Sequence, residues 1–348
     1  MQQGYDMYKL EDIKVVHLEM TEKCNLSCLM CDRNKSGGEV NPYLKDRELT
    51  FSIIHRTFPP SFIRQLKRVY MCGNYGEPIL AKDTMQILKY FRSHNENMKL
   101  SVITNGCSNT IHWWQDLAKV VNSVRFGIDG LGDTHKIYRQ GAVYDLIIRN
   151  AKAYIDAGGY AIWDYLVFGH NEHQIEEARQ LSEQLGFKEF VVKKTGRFFS
   201  NTKLKGKDEH QGLKKPSSDF VNKSLKKEQQ IKEKYGSMEN YLDQVKINCK
   251  VQKQNELYIS AEGIVLPCCW LAGQMYKWYL PKEYSEIWNF VDREIHNINN
   301  SSLQNIFHTG LFDEIQESWG KKSIEDGKLK TCALKCGVEL DQFGDQYK

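Results

Sequence analysis

Between Ile13 and about Lys193 the chain alternates short β-branched runs with longer amphipathic stretches. Repeated βα units of this kind build a parallel sheet covered by helices, with functional residues at the carboxyl ends of the strands. Strands are predicted at Lys14–Met20, Arg68–Met71, Lys99–Thr104, Ser123–Asp129, Ile162–Phe168 and Glu189–Val192. Helices are predicted at Asp83–Asn95, Thr110–Val121, Val143–Ala157 and His173–Leu185.

The length and charge of the chain narrow its class. A chain of 348 residues exceeds the size at which single cores stop growing, so we expect two units. The formal charge of +4, from 48 basic and 44 acidic side chains, argues against a nucleic-acid partner. Because no secretion signal and no apolar run of about 18 residues occurs, we expect a cytoplasmic protein without membrane association.

A change of composition separates the two expected units. Residues 200–234 carry ten Lys against five Asp and Glu, which predicts a solvated linker over 200–240 rather than a surface for an acidic substrate. The linker divides a first domain, 1–199, from a second, 241–348. In the second domain we expect strands at Glu256–Ile259 and Gly263–Leu266, and helical segments around Lys282–Arg293 and Ser302–Trp319.

Eight of the ten cysteines fall into two groups at opposite ends of the chain. In a reducing compartment metal binding is the better interpretation than disulfides. The first group, Cys24, Cys28 and Cys31, lies directly after the first strand. Three thiolates do not complete a zinc site, which takes four ligands, but they can hold a cubane iron–sulfur cluster and leave its fourth iron open. A structural zinc loop that borrows His17 or Asp32 is the alternative.

This loop resembles the signature of the radical S-adenosylmethionine (SAM) superfamily. The resemblance implies a [4Fe–4S] cluster on Cys24, Cys28 and Cys31, and SAM as the second cofactor. Met30 stands where an aromatic residue is common and could make the same contact with the adenine. Gly127 replaces the commoner serine of a motif on the fourth strand.

Later strand ends resemble other elements of the same family. They are Gly73-Asn-Tyr-Gly76-Glu77-Pro78, Thr104-Asn105-Gly106, Gly127-Ile-Asp129-Gly130 with Arg139 downstream, and His170-Asn171. By this resemblance Glu77 would hold the amino group of SAM, and Arg139 would meet its carboxylate. The cofactor-binding residues implied are Gly76, Glu77, Pro78, Asn105, Asp129, Arg139 and Asn171. No further catalytic residue is assigned.

The second cysteine group resembles the auxiliary-cluster domain of Twitch and SPASM enzymes. Cys249, Cys268, Cys332 and Cys336 would hold a second, fully ligated [4Fe–4S] cluster, with Cys269 as a spare. Because Cys268 and Cys269 are adjacent, either of the two can be the ligand. A four-cysteine zinc site is the alternative. The fold expected is therefore α/β, a partial (βα)6 TIM-like barrel followed by a smaller C-terminal α+β auxiliary-cluster domain.

The resemblance implies a radical SAM oxidoreductase or maturase. Such an enzyme cleaves SAM to a 5′-deoxyadenosyl radical, which removes hydrogen from an unidentified small molecule or peptide. A flavodoxin or ferredoxin would supply the electron. The competing hypotheses are a zinc-stabilised nucleic-acid-binding protein and a scaffold without radical chemistry.

Overall fold

The computed structural model describes residues 7–196, 198, 213–217, 219–279 and 285–340. Its eight-stranded sheet has the order β6-β5-β4-β3-β2-β1-β7-β8. All pairs are parallel except the β7–β8 hairpin. The strands are β1 (Val15–Leu18), β2 (Arg68–Met71), β3 (Lys99–Thr104), β4 (Ser123–Gly127), β5 (Ala161–Val167), β6 (Glu189–Lys194), β7 (Glu256–Ile259) and β8 (Val265–Leu266).

Helices connect the strands and continue into the second half of the chain. They are α1 (Phe51–Thr57), α2 (Pro60–Gln65), α3 (Thr84–His94), α4 (Ile111–Val120), α5 (Asp133–Tyr138), α6 (Tyr144–Asp156), α7 (Ile175–Leu185), α8 (Ser224–Tyr235), α9 (Met238–Gln244), α10 (Cys269–Ala272), α11 (Leu303–Phe307), α12 (Leu311–Ser318) and α13 (Lys330–Cys336). Local chemistry fixes several ends. The Thr110 hydroxyl accepts the Trp113 amide at the start of α4, and Gly186, with φ 88°, ends α7 in the left-handed region.

The predicted α/β architecture is confirmed. All six strands predicted between Ile13 and Lys193 form in the predicted order, and their ends lie within two residues of the predicted ones. The four predicted helices of this region also form. The short helices α1, α2 and α5 were not predicted, because segments of six or seven residues carry little periodicity.

The second half departs further from prediction. The hairpin β7–β8 forms as expected, but β7 also pairs in parallel with β1, so it extends the sheet of the first half. The prediction of a helix over Lys282–Arg293 is wrong for the described residues of this range, 285–293. Residues 282–284 lie outside the described part, and the remainder holds only a 3-10 turn at Glu286–Asn289, after which the Asp292 carboxylate accepts two backbone amides and turns the chain.

The helix expected over Ser302–Trp319 is two helices, because Gly310 adopts φ 85° between α11 and α12. Of the predicted linker, residues 200–212 and 218 lie outside the described part. The rest contains α8 and the buried Leu213. The domain boundaries at 199 and 240 stay predictions.

The two faces of the sheet differ in burial. Residues that face the helices are fully buried, as Val69 in β2 and Leu100 in β3 show. On the opposite side, called the inner face below, Tyr70, Ser101 and Arg125 retain accessible surface. In β2, β3 and β4 this alternation follows the two-residue period of a strand. Among the described helices, none combines the length and apolar character needed to cross a membrane.

Candidate active site

The first cysteine group lies in the loop after β1. The amide of Cys31 donates to the carbonyl of Cys28 at 3.1 Å, and the amide of Leu26 donates to the Cys24 sulfur at 3.4 Å. Burial raises the pKa of the Cys24 and Cys28 thiols to about 12, and the neighbouring Cys31 adds to both shifts. With a pKa this high the groups are neutral thiols near pH 7, and they become thiolates only beside a cationic partner, which bound iron would supply. The three residues thus fit a cluster of soft sulfur ligands.

The zinc alternative finds no support from His17. Its Nε2 lies 2.6 Å from the carbonyl oxygen of Cys72, and its ring stacks on Tyr70 with the ring centres 4.3 Å apart. These contacts hold the His17 side chain on the inner face of the sheet. No three His, Cys, Asp or Glu side chains in the described residues are gathered as closely as one metal ion requires. A cubane binds each thiolate at a different iron, so its ligands stand farther apart than those of one zinc ion.

The turn after β2 places a buried carboxylate beside this loop. Gly76 lies against the backbone of the cysteine loop, where a Cβ atom would come 1.7 Å from the carbonyl oxygen of Thr21. The Glu77 carboxylate accepts hydrogen bonds from the Thr104 hydroxyl at 2.6 Å and the Asn105 amide at 2.8 Å. Burial raises the pKa of Glu77 to about 7, although these hydrogen bonds oppose the shift. An ammonium group beside this carboxylate would favour its charged form.

Asn105 and Pro78 complete this corner. The Asn105 side chain donates to Asn25 at 2.9 Å and approaches the Cys24 sulfur at 3.9 Å. Pro78 begins the 3-10 turn Pro78–Leu80, which the Glu77 carboxylate caps. Four predicted cofactor-binding residues, Gly76 through Pro78 and Asn105, therefore lie around the cysteine loop.

Asp129 and Arg139 form an ion pair at the end of β4. Arg139 donates from Nε to Asp129 Oδ2 at 2.6 Å, and Asp129 Oδ1 accepts the amide of Leu166 at 2.8 Å. The guanidinium also counteracts the rise in the pKa of Cys28 that burial causes. Arg139 thus lies within electrostatic reach of the cysteine loop while Asp129 fixes its orientation.

Gly127 makes this position of Arg139 possible. A Cβ atom at residue 127 would lie 2.3 Å from Nη2 of Arg139. The absence of a side chain on Gly127 is therefore a geometric requirement of this ion pair.

We expect Gly127→Ser to move the guanidinium off Asp129 and to weaken SAM binding about tenfold, the worth of one charge-assisted hydrogen bond. The unfolding free energy should also fall, because Asp129, whose side chain is only 1% exposed, would lose the guanidinium that balances its charge. Equilibrium dialysis of SAM and the Tm check both points. Gly320→Ser, where the nearest atom is 3.6 Å away, is the control. Unchanged SAM affinity in Gly127→Ser would contradict this account.

Asn171 is placed differently from the other predicted residues. Its amide donates to the carbonyls of Asp129 and Leu166, and its oxygen accepts the amide of Phe168. The side chain is fully buried. Its polar atoms bond the backbone at the ends of β4 and β5, so its link to the site runs through Asp129.

An apolar cluster beside Cys28 was not predicted. Its buried members are Leu29, Met30, Tyr138, Leu166, Phe168 and Leu213. Leu213 comes from the lysine-rich segment, which returns to the end of β5, where the Gly169 amide donates to the Lys214 carbonyl at 2.9 Å. A single leucine among lysines carries no periodic signal, so only the fold shows this contact.

The second cysteine group converges on one small cavity. Cys249 precedes β7, Cys268 follows β8, and Cys332 and Cys336 share one face of α13 at i, i+4 spacing. All four line the cavity together with Trp270, Trp319 and Lys335, among others. Cys269 is not among the lining residues. Instead, its backbone carbonyl accepts a hydrogen bond from the Asn74 side chain at 2.9 Å. This bond links Cys269 to the first half of the chain.

Charged residues tie the cysteine loop to the second half. The Glu22 carboxylate is buried and accepts hydrogen bonds from the Lys45 and Arg47 amides and from the Arg47 side chain. Arg47 also pairs with Glu262 at 2.6 Å, and its guanidinium lies 5.1 Å from the ring centre of Tyr276. Arg47 is thus shared by two carboxylates, one from each half.

Comparison with known families agrees with this arrangement. The family model of the radical SAM superfamily matches residues 18–182. The model of the SPASM iron–sulfur cluster-binding domain matches residues 249–337. The first half of the chain thus contains a domain of the radical SAM superfamily, and the second half contains a SPASM domain. The first domain binds a [4Fe–4S] cluster and SAM, and the second binds further iron–sulfur clusters.

Individual relatives are distant. A probable GTP 3′,8-cyclase from Methanocaldococcus jannaschii is 30% identical over 96 residues, which span 27% of this chain and 29% of the cyclase. The structure of Streptococcus suis SuiB bound to S-adenosylmethionine aligns with a TM-score of 0.51 and 15% identity, over 75% of this chain and 61% of SuiB. Native anSMEcpe with bound AdoMet aligns with a TM-score of 0.56 and 15% identity, over 94% and 93%. At this identity the structures show a shared fold.

Proposed function

We propose that this enzyme cleaves SAM reductively and uses the 5′-deoxyadenosyl radical to remove hydrogen from a small molecule or peptide, in a net oxidation or C–H modification. The observation that carries the proposal is the meeting of three elements at one edge of the sheet. They are the thiols after β1, the Glu77 carboxylate after β2, and the Asp129–Arg139 ion pair after β4.

Each of these groups has a role in the proposal. Cys24, Cys28 and Cys31 hold the cluster, Glu77 binds the ammonium of SAM, and Arg139 meets its carboxylate. The bound cofactors supply one-electron chemistry that protein side chains lack, namely homolysis of a sulfonium C–S bond. Asn105 and the apolar cluster beside Cys28 keep this corner ordered and dry, which strengthens the charge interactions within it.

Two comparisons bear on the substrate class. SuiB has been solved with its precursor peptide SuiA, at a TM-score of 0.57 over 96% of this chain, and anSMEcpe with peptides. The cyclase similarity instead supports a nucleotide. We therefore keep both a peptide and a small molecule as substrates. A flavodoxin or ferredoxin remains the proposed electron donor.

Incubation of anaerobically purified protein with dithionite and SAM tests the proposal. We expect brown protein with about eight iron atoms, as for two cubane clusters, and release of 5′-deoxyadenosine and methionine. Colourless protein containing zinc would favour the zinc-stabilised alternative. Iron-loaded protein that releases no 5′-deoxyadenosine would favour a scaffold.

Adjacent cysteines offer a matched pair of variants for the second cluster. We expect Cys268→Ala to lose about half of the bound iron, because this thiol lines the cavity with Cys249, Cys332 and Cys336. Cys269→Ala should keep all of it. Iron analysis of the two purified variants measures the difference. If the two variants contained equal amounts of iron, Cys268 would not be the cluster ligand that distinguishes the pair.

A further inference from the structure

Three charged side chains on the inner face have no part in the proposed cofactor site. Arg125 in β4 makes two hydrogen bonds to Asp164 in β5, at 2.9 and 2.6 Å, and Lys193 in β6 makes a third at 2.5 Å. The Asp164 side chain is only 5% exposed, whereas Arg125 and Lys193 keep 23% and 14% of their side-chain surface. We call these three residues the inner triad.

Strand register explains how the inner triad assembles. Asp164 is paired with Gly127 on one side and with Val191 on the other. Arg125 precedes Gly127 by two residues and Lys193 follows Val191 by two, so all three point to the same face. The inner triad therefore runs diagonally across three adjacent strands.

The same register places the inner triad next to the cofactor site. Gly127, the neighbour of Asp164, is the residue against which the Arg139 guanidinium lies. Asp129, which holds Arg139, follows Gly127, the last residue of β4, by two residues, an extended distance of about 6.6 Å. The inner triad and the Asp129–Arg139 pair are therefore neighbours, separated by two residues of backbone.

The opposite wall of this space comes from β2. The Lys193 ammonium and the Asp164 carboxylate both act on the pKa of the Cys72 thiol, which burial raises to about 12. Strands β2 and β6 are separated by β3, β4 and β5 in the sheet, so these groups can approach one another only across the inner face. Cys72 itself retains accessible surface. The inner triad therefore faces a space rather than a packed core.

We propose that Arg125 and Lys193, held in place by Asp164, bind an anionic group of the substrate, either a carboxylate or a phosphate. The inference rests on the proposed function and names the chemistry of its substrate. Asp164 accepts hydrogen bonds from the Nε–Nη2 edge of Arg125, so an anion would approach the Nη1–Nη2 edge, which also presents two donors in one plane, and Lys193 would supply a compact charge. Because Asp164 fixes both cations beforehand, an incoming anion meets oriented donors, so little ordering is needed on binding.

Calorimetric titration of the anaerobic, cluster-loaded protein tests this site. Inorganic phosphate and acetate are the probes, at low ionic strength, and saturating SAM occupies the Arg139 site beforehand. We expect saturable binding of at least one anion, and the stronger of the two identifies the group. Lys193→Met should weaken binding about tenfold or more, because it removes a charged hydrogen-bond donor. Lys194→Met, one residue along β6 and on the opposite face, should bind as the wild type.

Two further measurements guard against loss of folding. Lys193→Arg keeps the charge and should bind the anions more tightly than Lys193→Met. In the wild-type protein, phosphate should slow alkylation of Cys72 by iodoacetamide, measured by peptide mass spectrometry. The inference is overturned if neither anion binds the wild type, or if Lys193→Met binds as tightly as Lys194→Met.

Release of 5′-deoxyadenosine from the same preparations separates this inference from the proposed function. A preparation that forms 5′-deoxyadenosine but binds neither anion overturns the substrate site alone. One that binds anions through Lys193 but never cleaves SAM supports the site and overturns the radical chemistry.

Discussion

Cys28→Ala is expected to reduce the release of 5′-deoxyadenosine to background. Removal of one of three thiolates leaves the first cluster with two protein ligands, and among the remaining cysteines, all of which lie in the described part of the chain, none is placed to substitute. Cys72 follows β2 on the inner face, and the buried Cys107 sulfur accepts the amide of Val143. The measurement is chromatographic quantification of 5′-deoxyadenosine after incubation with dithionite and SAM.

Two controls make the Cys28→Ala result specific. Cys107→Ala removes a buried thiol that is not assigned to either cluster and should retain activity. Iron analysis of Cys28→Ala should still show the second cluster, because its four ligands lie in a separate cavity. SAM cleavage that persists in Cys28→Ala at wild-type rates would remove this residue from the cofactor site.

Arg47→Met is expected to destabilise the folded protein by about 3 kcal/mol, because breaking a buried ion pair leaves a charge without compensation. Glu22, whose side chain is 2% exposed, would lose the guanidinium that pairs with it, whereas Glu262, at 13%, would keep its ion pair with Arg293 at 3.2 Å. Methionine preserves most of the side-chain volume, so the loss reports on charge. The Tm of the anaerobic protein should fall by several degrees.

An exposed ion pair supplies the control for Arg47→Met. Lys152 and Asp156 pair at 3.0 Å on α6, with both side chains 57% exposed. Lys152→Met should cost no more than about 0.5 kcal/mol, as is typical of surface pairs. If the two variants had equal Tm values, the link through Arg47 would not contribute to stability.

The sequence predicts those parts of the fold that are written in local patterns. The strands between Ile13 and Lys193 could be located because β-branched runs alternate with long amphipathic helices such as α6. The cysteine loop and Glu77 could be placed together because each follows a parallel strand, and such strands end at one edge of the sheet. Composition alone did not anticipate that Leu213 returns from the lysine-rich segment to pack beside Met30.

Contacts that depend on strand order could not be predicted. Arg125, Asp164 and Lys193 lie in three separate strands, and only their register shows that they meet. The link from Glu22 through Arg47 to Glu262 likewise joins distant parts of the chain. The pairing of β7 with β1 was missed because a four-residue strand carries no information about its neighbour.

That pairing has a consequence for biosynthesis. Strand β1 leaves the ribosome well before β7, one of its two neighbours in the sheet, because β7 begins only at Glu256. Until then the strand that leads into the cysteine loop has an unpaired edge, which is prone to association with other chains. Insertion of iron into the first site should therefore be most effective after synthesis has passed Ile259, when both flanks of β1 can be covered.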